Sequence, residues 1–219
     1  MNLIDKSKLS QSSLDLPPSF RDSSGLHGPT IAVLLSLASE TNFKWTTDDL
    51  KRTFKHIERL LKVHECRVIL TCSQETPLTI RNALESWLQS IPKDRRNQIH
   101  YVIPESISSP EGILASATHV AVTADSTMLT SESLASGRPT YIIGHNRCTG
   151  TLEQFNRNLI DIGRVRMFMP SRAIIAESGD FMSDIGEHPE RNEEYVDEAQ
   201  EVAKKVRWLM EGHAVSRTG

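Results

Sequence analysis

Between Val120 and Gly144 the chain reads VAVTADSTMLTSESLASGRPTYIIG. An apolar run ends in Asp125, Ser126 and Thr127, a short helical pattern carrying Glu132 follows, and a second apolar run begins after Gly-Arg-Pro. Where a strand feeds a helix, free backbone N–H groups and the helix dipole favour an anion, so the turn has the chemistry of a ligand site. A plainer reading is structural. Asp125 or Ser126 caps a helix beginning near Thr127, a role worth about 1 kcal/mol, and Glu132 is by default a solvated acid. A helix this short also aims Glu132 across the mouth of any cleft at that end. Both readings stay open on the residues alone.

Other groups carry less. His145 and Cys148 in GHNRCTG offer a base and a nucleophile without a third group to orient them. The same loop lacks the Gly-Lys-Ser/Thr ending of a phosphate loop. His56 and His64 are expected to be surface or helix-end residues, and Asp48 and Asp49 complement a helix dipole rather than bind a metal. Phe43 and Trp45 are either a stacking platform for a base or a lid over the core. No catalytic residue, metal site or cofactor is expected.

The elements that must position these groups are legible in the apolar pattern. Residues 30–37, 66–72, 98–104, 118–124 and 139–144 are short runs that are apolar throughout, the mark of parallel strands covered on both faces. Between them, Leu50, Phe54, Ile57, Leu60 and Leu61 recur at helical spacing behind a Thr-Thr-Asp-Asp start. A second helix is expected to open at Thr76-Pro77 and to carry Ile80, Leu84, Trp87 and Leu88. A third places Tyr195, Ala199, Val202, Val206, Leu209 and Met210 on one stripe and stops at Gly212. The alternation predicts an α/β fold, a Rossmann-like three-layer domain with a mostly parallel sheet. Residues 1–29, rich in Ser, Pro, Asp and Gly, read as a linker, residues 30–170 as the domain, and residues 171–219 as an irregular connection with a docking helix.

Composition narrows the partners. The chain has 219 residues, 38% of them hydrophobic, enough for one core. Lys plus Arg total 25 against 28 acids, a balance without the drive for nucleic-acid binding. Cys66, Cys72 and Cys148 are three in number, without Cys-x-x-Cys spacing, and suggest a reducing compartment. No run reaches the roughly 20 apolar residues of a membrane span, so the chain is expected to be soluble.

The segment VTADSTMLTSESLASGRPTYII resembles a stretch of the mitochondrial fission family first described in plants with elongated mitochondria, which also has bacterial relatives. The resemblance extends through Phe43-Lys44-Trp45, Thr76-Pro77, and Phe155, Leu159, Gly163 and Phe168, covering about Thr30 to Pro170. That family in turn resembles the C-terminal half of GT-B glycosyltransferases. Carried over, Glu132 would take the ribose hydroxyls and Ser126 with Thr127 the phosphate side, while Thr123 and Ser131 flank them as ligand-binding candidates. A carboxylate accepting two vicinal hydroxyls is sound chemistry.

Two departures weigh against an enzyme. Leu37-Ala38 stand where the family carries Gly-Gly, which lets backbone approach a phosphate. Gln74-Glu75 replace paired arginines, the best partners of an anion. A GT-B enzyme also works between two domains, and the chain corresponds to the second alone. The resemblance therefore implies a non-catalytic cytoplasmic factor, peripheral on the mitochondrial outer membrane, that helps recruit a dynamin-related GTPase. The alternative is a nucleotide-sugar-binding or glycosyltransferase-like domain. In it, Asp125, Ser126, Thr127 and Glu132 hold a nucleotide diphosphate or nucleotide sugar, and Phe43 or Trp45 stacks on the base.

Overall fold

A computed structural model describes Pro17, Phe20 and residues 28–37, 41–103, 110–168 and 181–186. All five expected strands form: β1 (Thr30–Leu35), β2 (Arg67–Cys72), β3 (Ile99–Val102), β4 (His119–Thr123) and β5 (Thr140–Ile143). A two-residue strand, β6 (Arg166–Met167), joins them. The sheet order is β3-β2-β1-β4-β5-β6 and every neighbouring pair is parallel. Every residue of β1 and β5 is buried, as strands covered on both faces require. β1 and β4 are adjacent although β2 and β3 lie between them in sequence. The direction of winding reverses there, which makes their carboxyl ends the topological switch point, where ligands of open α/β sheets sit.

The helices follow the same logic. Helix α1 (Thr47–His64) opens with a capping box: Asp49 N–H donates to Thr46 Oγ1 at 3.2 Å, and Thr46 N–H donates to Asp49 Oδ2 at 3.0 Å. Its Leu50, Phe54, Ile57, Leu60 and Leu61 are buried. Helix α2 (Leu78–Ser90) starts after Pro77, and its buried Trp87 stacks on Phe54 at 4.3 Å between ring centroids. Then come α3 (Lys93–Arg96), α4 (Glu111–Ser116), α5 (Thr127–Ala135), a 3-10 turn at His145–Arg147 and α6 (Gly150–Asp161). The result is the expected three-layer α/β arrangement, a parallel sheet flanked by helices.

Three sequence readings meet a different structure. His56, taken as exposed or terminal, is buried edge-on against Phe168 at 5.0 Å. It shares the inward stripe of Thr53, Ile57 and Leu60, and position on the stripe overrides its polarity. Within the segment read as irregular, Phe181–Ile185 form a helix, α7. Its Asp184, 2% exposed, accepts Arg59 Nη2 at 3.0 and 3.1 Å and contacts His64 Nε2 at 2.7 Å. Phe20, in the segment read as a linker, is buried with its ring 5.9 Å from that of His100. The expected helix at 195–212 and most of residues 1–29 lie outside the described residues.

Candidate functional site

Threonines lace the carboxyl ends of the central strands. Thr123, fully buried at the end of β4, accepts the Ser36 N–H at 2.9 Å, and the Thr76 hydroxyl donates to the Ser36 carbonyl. Thr71 at the end of β2 donates to the Val102 carbonyl at 2.9 Å. These bonds satisfy groups where the ladders stop and fix the turns that leave them.

Ser126 is the N-cap of α5, its Oγ accepting the Leu129 N–H at 3.2 Å. The structural reading of Ser126 therefore holds. Asp125, 2% exposed, precedes it. The two also line an open cleft of about 480 Å³ together with Asn42, Thr127 and Met128. Its far wall is the N-terminal half of α6, with Thr151, Leu152 and Phe155. Asn42 is held there by a strap. The Thr149 N–H donates to the Asn42 carbonyl at 2.8 Å, Phe43 pairs antiparallel with Cys148, and the Lys44 N–H donates to the Arg147 carbonyl at 3.1 Å.

The remaining sequence candidates lie elsewhere. Ser131, exposed, donates back to the Thr127 carbonyl at 2.7 Å. Glu132 does not line the cleft. It is half-buried with Oε2 sealed from solvent and without a hydrogen bond, and burial, then the nearby Glu111 charge, push its carboxyl up from the usual range. Phe43 is buried and Trp45 stacks on it at 6.0 Å, so the pair covers the end of the core. Trp45 lies so close over Gly144 (φ 76°) that a Cβ there would collide with the indole Nε1. That tryptophan borders a separate recess of about 120 Å³ with Asp49, Arg52 and His145. Asp49 is pushed up by burial, but hydrogen bonds from Arg147, at 2.7 Å, and Thr46 outweigh this and hold its carboxyl low. Burial keeps His145 below its ordinary range. Cys148 is buried with its Sγ 3.7 Å from the Ala124 carbonyl.

The two departures from the family pattern have structural counterparts. Leu37 has φ 49°, in the left-handed region that favours glycine, and its side chain is 3% exposed. The glycine-type backbone is present and the space beside it is filled. In the turn holding Gln74 and Glu75, the Arg81 guanidinium donates to the carbonyls of Thr76 at 3.0 Å, Ser73 at 3.2 Å and Gln74. The cation of this turn ties its backbone together.

Asn42, Met128, Thr151, Leu152 and Phe155 were not singled out as site residues. Thr151 and Phe155 lie in α6, and the signal was its place after β5, because the chain leaves a parallel strand at the carboxyl end of the sheet. Among the described residues, no helix is long and apolar enough to cross a membrane, and no group of three or more His, Cys, Asp or Glu could hold a metal.

A family model described as mitochondrial fission ELM1 matches residues 1–210. It reaches beyond the Thr30–Pro170 span in which the motifs are legible. No curated protein matches the chain.

Proposed function

Because the chain belongs to the mitochondrial fission ELM1 family, we propose that it is a non-catalytic, peripheral factor that helps recruit a dynamin-related GTPase to the mitochondrial outer surface. The observation that carries this reading is the match across 1–210. Two features of the site support it. Leu37 fills the space that a bare backbone would open to a phosphate, and Arg81 is committed to three carbonyls beside Gln74 and Glu75. Deleting the protein from its own cells should lengthen the mitochondria and strip the GTPase from their surface, with both restored on re-expression. An unchanged network and an unchanged GTPase distribution would sink the proposal.

A second reading, a nucleotide-sugar-binding domain of glycosyltransferase type, is favoured by one observation. The cleft holding Asp125, Ser126 and Thr127 sits at the switch point. Calorimetric titration with uridine and guanosine diphosphates and their sugars tests it directly, and saturable heat with any of them would favour this reading over recruitment alone.

A further inference from the structure

We infer that the cleft between α5 and α6 takes an uncharged, hydroxyl-rich ligand, a saccharide presented without phosphates. The volume of about 480 Å³ lies in the range of small-molecule sites, roughly 300–1,000 Å³. The chemistry of the wall sets the class. The Asn42 amide and the Thr127 and Thr151 hydroxyls are exposed side chains without a hydrogen bond among the described residues. Ser126 accepts from Leu129, which leaves its O–H proton to donate. Neutral groups able both to give and to take hydrogen bonds match alcohols. Beside Thr151 on α6, and across the cleft from Ser126 and Thr127, Leu152 and the half-buried Phe155 ring form an apolar wall, suited to the C–H face of a pyranose.

Charge disfavours an anionic ligand. Among the described residues lining the cleft none is Lys, Arg or His, and the one ionisable group is Asp125. The helix N-termini at this end favour negative charge, and Asp125 already supplies it. A diphosphate would meet that carboxylate and, among the described lining residues, no cationic side chain.

Thermal unfolding of the full chain tests the inference, with maltose, cellobiose, mannose and N-acetylglucosamine in one arm and uridine diphosphate, guanosine diphosphate and pyrophosphate in the other. A saccharide at about ten times its dissociation constant should raise Tm by about 3–5 °C, equally at low and high salt. Thr127→Val and Asn42→Ala, both at exposed positions, should each weaken that binding about fivefold while the unliganded Tm stays unchanged. The inference is overturned by a diphosphate shift larger than any saccharide shift, by a cooperative melt that no saccharide moves, or by a saccharide shift intact in both variants. It goes beyond the recruitment reading and does not rest on it: GTPase recruitment is scored separately in cells, so either result can fail alone.

Discussion

A histidine sealed against a phenylalanine ring resists protonation. Burial, and then the neighbouring Arg59 charge, bring His56 down to about 4 against the opposing pull of Asp184. In the unfolded chain the same group titrates near 6.5. Between those values the unfolded chain holds a proton that the folded one lacks, so stability rises with pH across that window. Going from pH 7 to pH 5 should cost about 2 kcal/mol from this residue. His56→Leu should flatten the dependence in denaturant titrations at the two pH values, leaving the same-signed contribution of His145. A variant that loses stability as steeply as the parent would clear His56 of responsibility. Leu37 poses a question of sign. Its left-handed backbone costs about 1–2 kcal/mol, whereas removing a buried leucine costs about 2–5 kcal/mol and glycine adds entropy to the unfolded state. Leu37→Gly should therefore destabilise, and a higher denaturation midpoint would mean that the side chain packs poorly.

Elements end where their backbone permits. Helix α1 closes at Glu65, whose φ of 50° and ψ of 27° are those of a left-handed cap, and the residue is exposed. Glu65→Gly should stabilise the protein by about 0.5–1 kcal/mol, read as a rise in denaturation midpoint; a fall would show that the side chain contributes more than the strain it carries. The interior elements were legible because β1, β2, β4 and β5 are buried along almost their whole length, and burial on two faces leaves continuous apolar runs. β6 was not, since two residues, one of them the exposed Met167, carry no period. Ser126 announced itself as a cap because capping is a local interaction. The partners it meets in the cleft did not. Asn42 and Phe155 are 113 residues apart in number and are brought to one cleft by the strap of Phe43 against Cys148. Glu132 was legible as a charge but not as a position, because two turns along α5 carry it out of the cleft and beside Glu111.

At the scale of the molecule, one ionic cluster ties the last described helix to the first. Burial pushes the Asp184 carboxyl up, but hydrogen bonds from His64 and Arg59 hold it below the usual range. That contribution is present above the ordinary carboxylate pKa and is lost as pH falls through the lowered one. Asp184→Asn weakens the tie at any pH. Amide exchange at Phe181–Ile185 should then quicken roughly tenfold or more, with β1 and β4 amides unchanged. If the strand amides quicken equally, α7 opens only with the global transition.

The switch point has a second consequence, for the chain as it is made. Among the described strands β1 is synthesised first, and it lies inside the sheet, with β2 on one side and β4 on the other. β2 is complete at Cys72, but β4 begins only at His119, and the Thr30 carbonyl waits for the Thr118 hydroxyl 88 residues away. At about 5–20 residues per second, β1 spends roughly 2–10 s on the ribosome with one backbone edge unpaired. That edge belongs to TIAVLL, an uncharged and strongly β-forming segment of the kind that templates aggregation. A nascent chain stalled between β2 and β4 thus exposes its stickiest strand, and that interval of translation is when a chaperone has most to shield.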